Sequence, residues 1–461
     1  MQEQVGELIS RYIRHYESKT RRSRQIFEHA SQLIPSGTSH NIRYFEPYPF
    51  STRMASGKYI YDVDGNAYTD YWMGHWSLIL GHAPKVVVDV LRERVVEGTM
   101  FGTVSEHALR LAETINRLMP RAEMLRFSST GSEATMYAIR LARAYTGRRV
   151  VAKMEGGWHG FNTDLMHSVT YPFDEPEGRG ILEEESRYVI ALPFNDIDAS
   201  TRLLDTVRDD LACIIVEPLL GGAGCIPADR GYLHALQEYA RRSGALFILD
   251  EIVTGFRVSL HGAQHVYSLE PDLFTLGKVA GGGLPIGVVC GLNEVMSLAD
   301  VRGKGKGDRV GIGGGTYSEN PLSMSAGLAV LEYLARHEHI YERLEMLGDE
   351  ARRGIDRVMS DHGIMVKSTG MGSLFLTHFL KGNISDVRSA RDAAECDTAM
   401  QRLYHFALLS IHDIFFLPNK LGAISVEHDS IDIRRLIDAS ERVAGDIAYA
   451  RAHGHGTPSS S

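Results

Sequence analysis

Between residues 85 and 300, short apolar runs alternate with longer stretches whose apolar positions recur every three or four residues. The runs at 124–128, 149–154, 187–193, 212–217, 245–250, 272–276 and 287–291 have strand length and little polar interruption, which predicts strands buried on both faces. Helical pattern fills most of the gaps, as at 133–146 and 231–243. This alternation predicts an α/β fold with a mostly parallel seven-stranded sheet, and in such sheets ligands sit beyond the carboxyl ends of the strands. Residues 2–33 carry Val5, Leu8, Ile9, Tyr12, Ile13 and Tyr16 at helical spacing, with a polar face that turns basic toward Arg24; Pro35-Ser36-Gly37 ends that stretch. Residues 53–72 alternate around Asp62-Val63-Asp64-Gly65-Asn66, a hairpin signal. Residues 325–450 are largely helical in pattern, with weaker strands expected at 372–379 and 422–427.

The expected organisation is an N-terminal arm and small-sheet segment (1–80), a large α/β domain (81–324), a smaller α+β domain (325–452) and a disordered tail (453–461). There is no internal repeat.

Composition narrows the function. The chain has 461 residues, 44% of them hydrophobic, ample for a large core. Its formal net charge is −9 and no long basic run occurs, which argues against a nucleic-acid partner. No apolar run approaches the roughly 20 residues that span a bilayer. The opening Met1-Gln2-Glu3-Gln4 is not a secretory signal. Cys213, Cys225, Cys290 and Cys396 lack metal-type spacing and are expected as buried thiols in a reducing, cytoplasmic setting. The alternating acids at 62–64 are a fragment of a calcium loop without the rest of its pattern, so no metal is expected.

Two strand ends carry candidate chemistry. Leu273-Phe274-Thr275-Leu276-Gly277-Lys278 is an apolar run that delivers a single lysine, followed by Gly281-Gly282-Gly283. A lysine in dry surroundings loses its charge more readily and becomes a usable amine nucleophile. The preceding strand, Phe247-Ile248-Leu249-Asp250, ends in an acid one crossover earlier. A lysine for a Schiff base and a carboxylate for a pyridinium nitrogen are what pyridoxal phosphate requires. With Ile252-Val253-Thr254-Gly255-Phe256-Arg257-Val258, Pro271-Asp272-Leu273 and Gly281-Gly282-Gly283-Leu284-Pro285-Ile286-Gly287, this stretch resembles the class III pyridoxal-phosphate aminotransferases. The nearest branch is similar to glutamate-1-semialdehyde aminomutase, and the resemblance runs from about residue 30 to 440.

The resemblance implies a fold-type I enzyme whose small domain is built from both chain ends. It assigns Lys278 and Asp250 to catalysis and carries further residues over one by one. In Ser128-Ser129-Thr130-Gly131-Ser132-Glu133, which joins a strand to a helix, Gly131 and Ser132 match residues that hold the cofactor phosphate, although helix capping alone would explain the segment. In Gly156-Gly157-Trp158-His159-Gly160, Trp158 replaces the family's usual tyrosine or phenylalanine over the ring. Glu217 ends another strand in a supporting position, and Gly222 stands where the aminomutase has asparagine. Thr316, in Gly313-Gly314-Gly315-Thr316, matches the threonine that reaches the phosphate of the neighbouring subunit, which implies a homodimer with shared sites.

The substrate side departs from the aminomutase pattern. Arg43 is retained and suits a carboxylate, its serine companion is His40, and His75 and Trp76 replace or displace a tryptophan. Lys420 stands where transaminases often have arginine and the aminomutase glutamate. Glu319 replaces a usual glycine, and either favours a cationic substrate or is an exposed loop residue. The expected function is amino transfer between a small polar amine or amino acid and a keto or aldehyde acceptor. A mutase or epimerase on the same cofactor is the alternative, and a non-catalytic cofactor-binding protein a remoter one that Lys278 and Asp250 argue against. A dehydrogenase would need a strand followed by G-x-G-x-x-G, which the chain lacks.

Overall fold

The computed structural model describes residues 2–302, 304–382 and 384–452; the tail expected at 453–461 lies outside the described residues. The seven apolar runs form one sheet from β1 (Met124–Ser128), β2 (Val150–Met154), β3 (Val189–Leu192), β4 (Leu211–Val216), β5 (Leu246–Asp250), β6 (Leu273–Gly277) and β7 (Gly287–Gly291). Their order is β1-β7-β6-β5-β4-β2-β3, and only β7 runs against its neighbours. Every residue of β2, β4, β5, β6 and β7 is buried, because helices cover both faces. Helices Gly131–Thr146 and Arg230–Ser243 both end on a left-handed glycine, Gly147 and Gly244, which lets the chain turn back into the next strand.

The two chain ends meet. The meander Thr52–Ser56, Tyr59–Asp62 and Ala67–Asp70 takes Ile414–Phe415 as a fourth strand, parallel to the third. A second small sheet pairs Val366–Met371, Leu374–Phe379 and Gly422–Ala423. Helix Ile340–Asp361 packs on the second sheet and on Ser430–Ala452, and Thr398–His412 and Ser430–Ala452 pack against the N-terminal helix.

Two expectations change. The N-terminal helical stretch is two helices, Gln2–Lys19 and Arg21–Leu33. Thr20 Oγ1 donates to the Tyr16 carbonyl, and Asp64 accepts from the Arg22 and Ser23 amides at the head of the second helix. Asp62 likewise serves its own turn, accepting from the amides of Asp64 and Asn66. The strand expected at 422–427 is reduced to Gly422–Ala423, because the amides of Ala423, Ile424 and Val426 bond to three different segments, at Tyr71, Ser373 and Ile79. The hairpin partner Val366–Met371 was not expected.

The small-sheet core contains buried histidines. His405 stacks on Phe416 with ring centres 5.0 Å apart, and His428 lies 4.7 Å from the Tyr71 ring. Burial pushes both down to about 3, so both are neutral in the fold. Because each is held below the ordinary histidine value, the unfolded chain binds more protons between pH 6.5 and about 3, and stability falls as pH drops through that window. Urea unfolding at stepped pH is expected to show this decline, and His405→Phe is expected to make it shallower.

Candidate functional site

The carboxyl ends of β5 and β6 lie side by side in parallel register, Asp250 opposite Thr275. Asp250 is 3% exposed. Its Oδ1 accepts from Thr275 Oγ1 at 2.9 Å and from the Ile252 amide at 3.1 Å, and its Oδ2 lies 2.7 Å from His159 Nδ1. Burial lowers the affinity of His159 for a proton despite the adjacent carboxylate, so its ring is neutral and Nδ1–H is the donor. His159 Nε2 is buried and has no partner among the described residues.

Lys278 follows β6 directly, in a left-handed conformation with φ 47°. Burial pushes its amine below the ordinary lysine value, against the pull of Asp250 and Glu217. Glu217, at the end of β4, accepts from the amides of Trp158 at 2.9 Å and Gly221 at 3.2 Å. Burial first, and Asp250 second, raise its carboxyl to about 8. The half-buried Trp158 and the buried His159 follow β2, and the exposed Phe161 packs edge-on against Trp158, ring centres 5.0 Å apart.

The loop after β1 heads the helix Gly131–Thr146. Glu133 accepts from the amides of Ser129 and Thr130 while Thr130 Oγ1 accepts from the Glu133 amide, a reciprocal cap. The two loops interlock: Ser132 Oγ accepts from the Phe161 amide, and a Cβ on Gly160 would stand 2.3 Å from Ser132 Oγ. Ser129 Oγ is buried without a partner among the described residues.

Of the residues expected on the substrate side, His40, Arg43, His75 and Lys420 also come together, around a turn whose conformation was not legible in the sequence. Met73, Gly74, His75 and Trp76 have φ of 43°, 57°, 60° and 67°, a left-handed turn. Such a backbone costs about 1–2 kcal/mol for each residue bearing a Cβ, so its surroundings must hold it. Asp70 accepts from the amides of Trp72 and Met73, and Trp76 Nε1 donates to the Leu421 carbonyl at 2.9 Å. The Lys278 amine lies 5.6 Å from the centre of the Trp76 ring. His75 stacks on His40, ring centres 5.1 Å apart, and Arg43 Nε donates to His75 Nε2 at 3.4 Å. Burial, then Arg43, His40 and Lys278, push His75 down to about 3; burial, Arg43 and Lys420 lower His40. Burial also lowers the Lys420 amine.

Arg43, Lys278 and Lys420 therefore surround the two neutral imidazoles of His40 and His75. Glu319, in the turn ahead of the helix Pro321–Arg336, has φ 58°, and among the described residues no hydrogen bond or ion pair joins it to this group. Thr316, in the same turn, is exposed.

The expectations for this region omitted Thr275, Arg257 and Phe161 as site residues. Thr275 was findable as the one hydroxyl within an apolar strand. Arg257 was findable as a charge inside an otherwise apolar segment, and Phe161 has no comparable signal.

Comparison with known proteins agrees with this geometry. Residues 43–394 match the family described as aminotransferase class-III. The chain is 37% identical over 429 residues to glutamate-1-semialdehyde 2,1-aminomutase of Methanothermobacter thermautotrophicus, covering 92% of this chain and 99% of that one. Among solved structures, it is similar to a transaminase with PLP bound (31% identity, TM-score 0.84, 95% and 99% of the two chains). It is also similar to a β-phenylalanine aminotransferase from Variovorax paradoxus (28% identity, TM-score 0.86, 99% and 100%).

The interlocked loops supply a direct test. Gly160 and Gly147 both have left-handed φ, 87° and 68°, but nothing lies within 4 Å of a Cβ on Gly147. Gly147→Ala is expected to lower stability by about 1 kcal/mol. Gly160→Ala is expected to cost clearly more, and to lower the fraction of protein purified with cofactor. Thermal melting and absorbance check both.

Proposed function

The chain belongs to the class-III aminotransferase family, whose members depend on pyridoxal phosphate, and on that premise we propose that its amino donor is an amino acid gripped by its carboxylate. The observation that carries this reading is the cationic substrate side: Arg43 and Lys420 flank two neutral histidines, with no acid bonded to that group among the described residues. A carboxylate placed there gains charge-assisted hydrogen bonds and relieves the repulsion among the cations. Among the described residues Glu319, which would favour a cationic substrate, makes no hydrogen bond or ion pair with this group, so the carboxylate carries the reading. The likeness to a transaminase of a β-amino acid supports the same donor class.

The residues present fit the cofactor. Asp250, held by three donors, suits the pyridinium nitrogen. The amides of Gly131 and Ser132 head a sixteen-residue helix and suit the phosphate, beside the unpartnered Ser129 hydroxyl. Trp158 suits a ring face, with Glu217 bonded to its amide and His159 behind Asp250. When bound, pyridoxal phosphate supplies an electrophilic carbon for the amino group and a sink for negative charge. Lys278 would hold the group through its amine and, once the amino donor is bound, its freed amine would act as the general base that takes the proton from the carbon bearing the amino group. The depressed proton affinity of Lys278 leaves more of it as the free base that this step needs.

We read the active enzyme as a cytoplasmic homodimer. The exposed Thr316 would reach the site of the second subunit, and exposed apolar Val96, Phe101, Val104 and Leu109 suit an interface. The four cysteines are free and buried, as a reducing setting allows. Among the described residues, no helix is long and apolar enough to cross a membrane.

An aminomutase is the second reading, favoured by the 37% identical relatives. Gly222, where the aminomutase branch carries asparagine, weighs against it.

Mixing the loaded protein with a panel of α- and β-amino acids, diamines and amino sugars separates these readings. Transamination predicts loss of the cofactor's absorption band with one equivalent of carbonyl product, fastest with amino acids. A band that recovers while an isomeric amine emerges identifies the mutase. Lys278→Ala is expected to slow turnover by about 10³-fold or more. Arg43→Ala and Lys420→Ala are each expected to raise KM for amino acids by about tenfold or more, with little effect on amines lacking a carboxylate.

A further inference from the structure

Arg257 lies seven residues beyond Asp250 and is 1% exposed, one of the largest fully buried side chains. No carboxylate pairs with it among the described residues; its partners are backbone carbonyls and one hydroxyl. Its Nε and Nη2 both donate to the Trp76 carbonyl, at 3.1 and 2.7 Å. Its Nη1 donates to the Ile424 carbonyl at 3.0 Å and to Ser373 Oγ at 3.4 Å. A buried cation without a counter-ion is costly to keep, so a purely structural position would accept an apolar side chain more cheaply.

What those bonds reach gives the charge a purpose. The Trp76 carbonyl closes the left-handed Met73–Trp76 turn. From that turn, the His75 ring receives Arg43 Nε, and the Trp76 indole donates to the Leu421 carbonyl, next to Lys420. The Trp76 ring itself faces the Lys278 amine. The Ile424 carbonyl ties the same guanidinium to the segment that carries Lys420. Both cations assigned to the carboxylate thus hang on one turn, and a two-donor fork on one carbonyl fixes that turn as a single bond would not.

We propose that Arg257 is a positioning residue for substrate selection: by holding the Trp76 carbonyl it sets where Arg43 and Lys420 stand relative to Lys278, and so the preference for amines that carry a carboxylate. The inference rests on the assignment of Arg43 and Lys420 to that carboxylate.

The test uses the full-length, cofactor-loaded protein as wild type, Arg257→Met, Arg257→Lys and Gly74→Ala. The last strains the same turn from its other side, where a Cβ would stand 3.0 Å from Leu78 Cδ1. Single-turnover rates and KM are measured for an amino acid and for the amine left when its carboxylate is removed. Cofactor content and near-ultraviolet circular dichroism of the tryptophans are recorded on the same samples. Arg257→Met is expected to lose the preference for the carboxylate-bearing amine by about tenfold or more, chiefly through KM, with cofactor content kept and the tryptophan signal altered. Arg257→Lys is expected to recover part of the preference, and Gly74→Ala to shift it in the same direction as Arg257→Met. Equal loss for both amines, or an unchanged preference, overturns the proposal. If Arg257→Met does not fold, an unchanged preference in both other variants overturns it. A wild type without any preference overturns the carboxylate assignment as well, whereas a wild-type preference that survives in the variants overturns only the role of Arg257.

Discussion

A carboxylate at the end of a fully buried strand has lost its water, and Asp250 recovers hydrogen bonds from three protein donors: Thr275 on the next strand, the Ile252 amide just beyond it, and the His159 ring from the far side. Bonds to a charged acceptor contribute about 1.5–3 kcal/mol each, so together they offset much of the hydration lost on burial. Each donor belongs to a different part of the sheet. The parallel register of β5 and β6 puts Thr275 opposite Asp250, and the loop after β2 delivers His159 across β4. The site therefore depends on the order of the strands as much as on the identity of its residues.

The same burial divides the charges of the site into two groups. On the sheet side, Asp250 and Glu217 stand close to one another, and Glu217 is pushed toward its neutral form, which limits their repulsion. On the opposite side, Arg43, Lys278 and Lys420 crowd two imidazoles that stay neutral. Lys278 lies between the groups, pulled toward its charged form by the acids and away from it by burial. On the proposed reading a bound carboxylate would complete the balance on the cationic side, and that balance is the argument for the donor class. The left-handed turn at Met73–Trp76 concentrates this arrangement, since it carries His75 and Trp76 and is held by Asp70 from below and Arg257 from behind.

Much of this was legible in the chain. The seven sheet strands announce themselves because both of their faces are buried, so a continuous apolar run is the only composition that suits them. Lys278, Asp250 and Glu217 stand out as the polar residues at the ends of such runs. Segment 422–427 misled because its backbone divides its bonds among three partners, a tertiary property that no local pattern records. The Met73–Trp76 turn was equally hidden, since only Gly74 favours a left-handed backbone and the other three residues are forced into it by distant contacts. Arg257 was visible as a residue and not as a support, because its partners lie more than a hundred residues away on both sides.

The central claim is that Lys278 is the amine that holds the cofactor, and covalent trapping tests it most directly. The loaded protein is reduced with borohydride, digested, and mapped by mass spectrometry for the peptide that carries the pyridoxyl group. Stoichiometric labelling of Lys278 is expected, lost in Lys278→Ala and unaffected by Lys153→Met, which removes the buried lysine of β2 whose amine donates to the Leu165 and His167 carbonyls. Labelling of Lys153 or Lys420, or none at all, would contradict it.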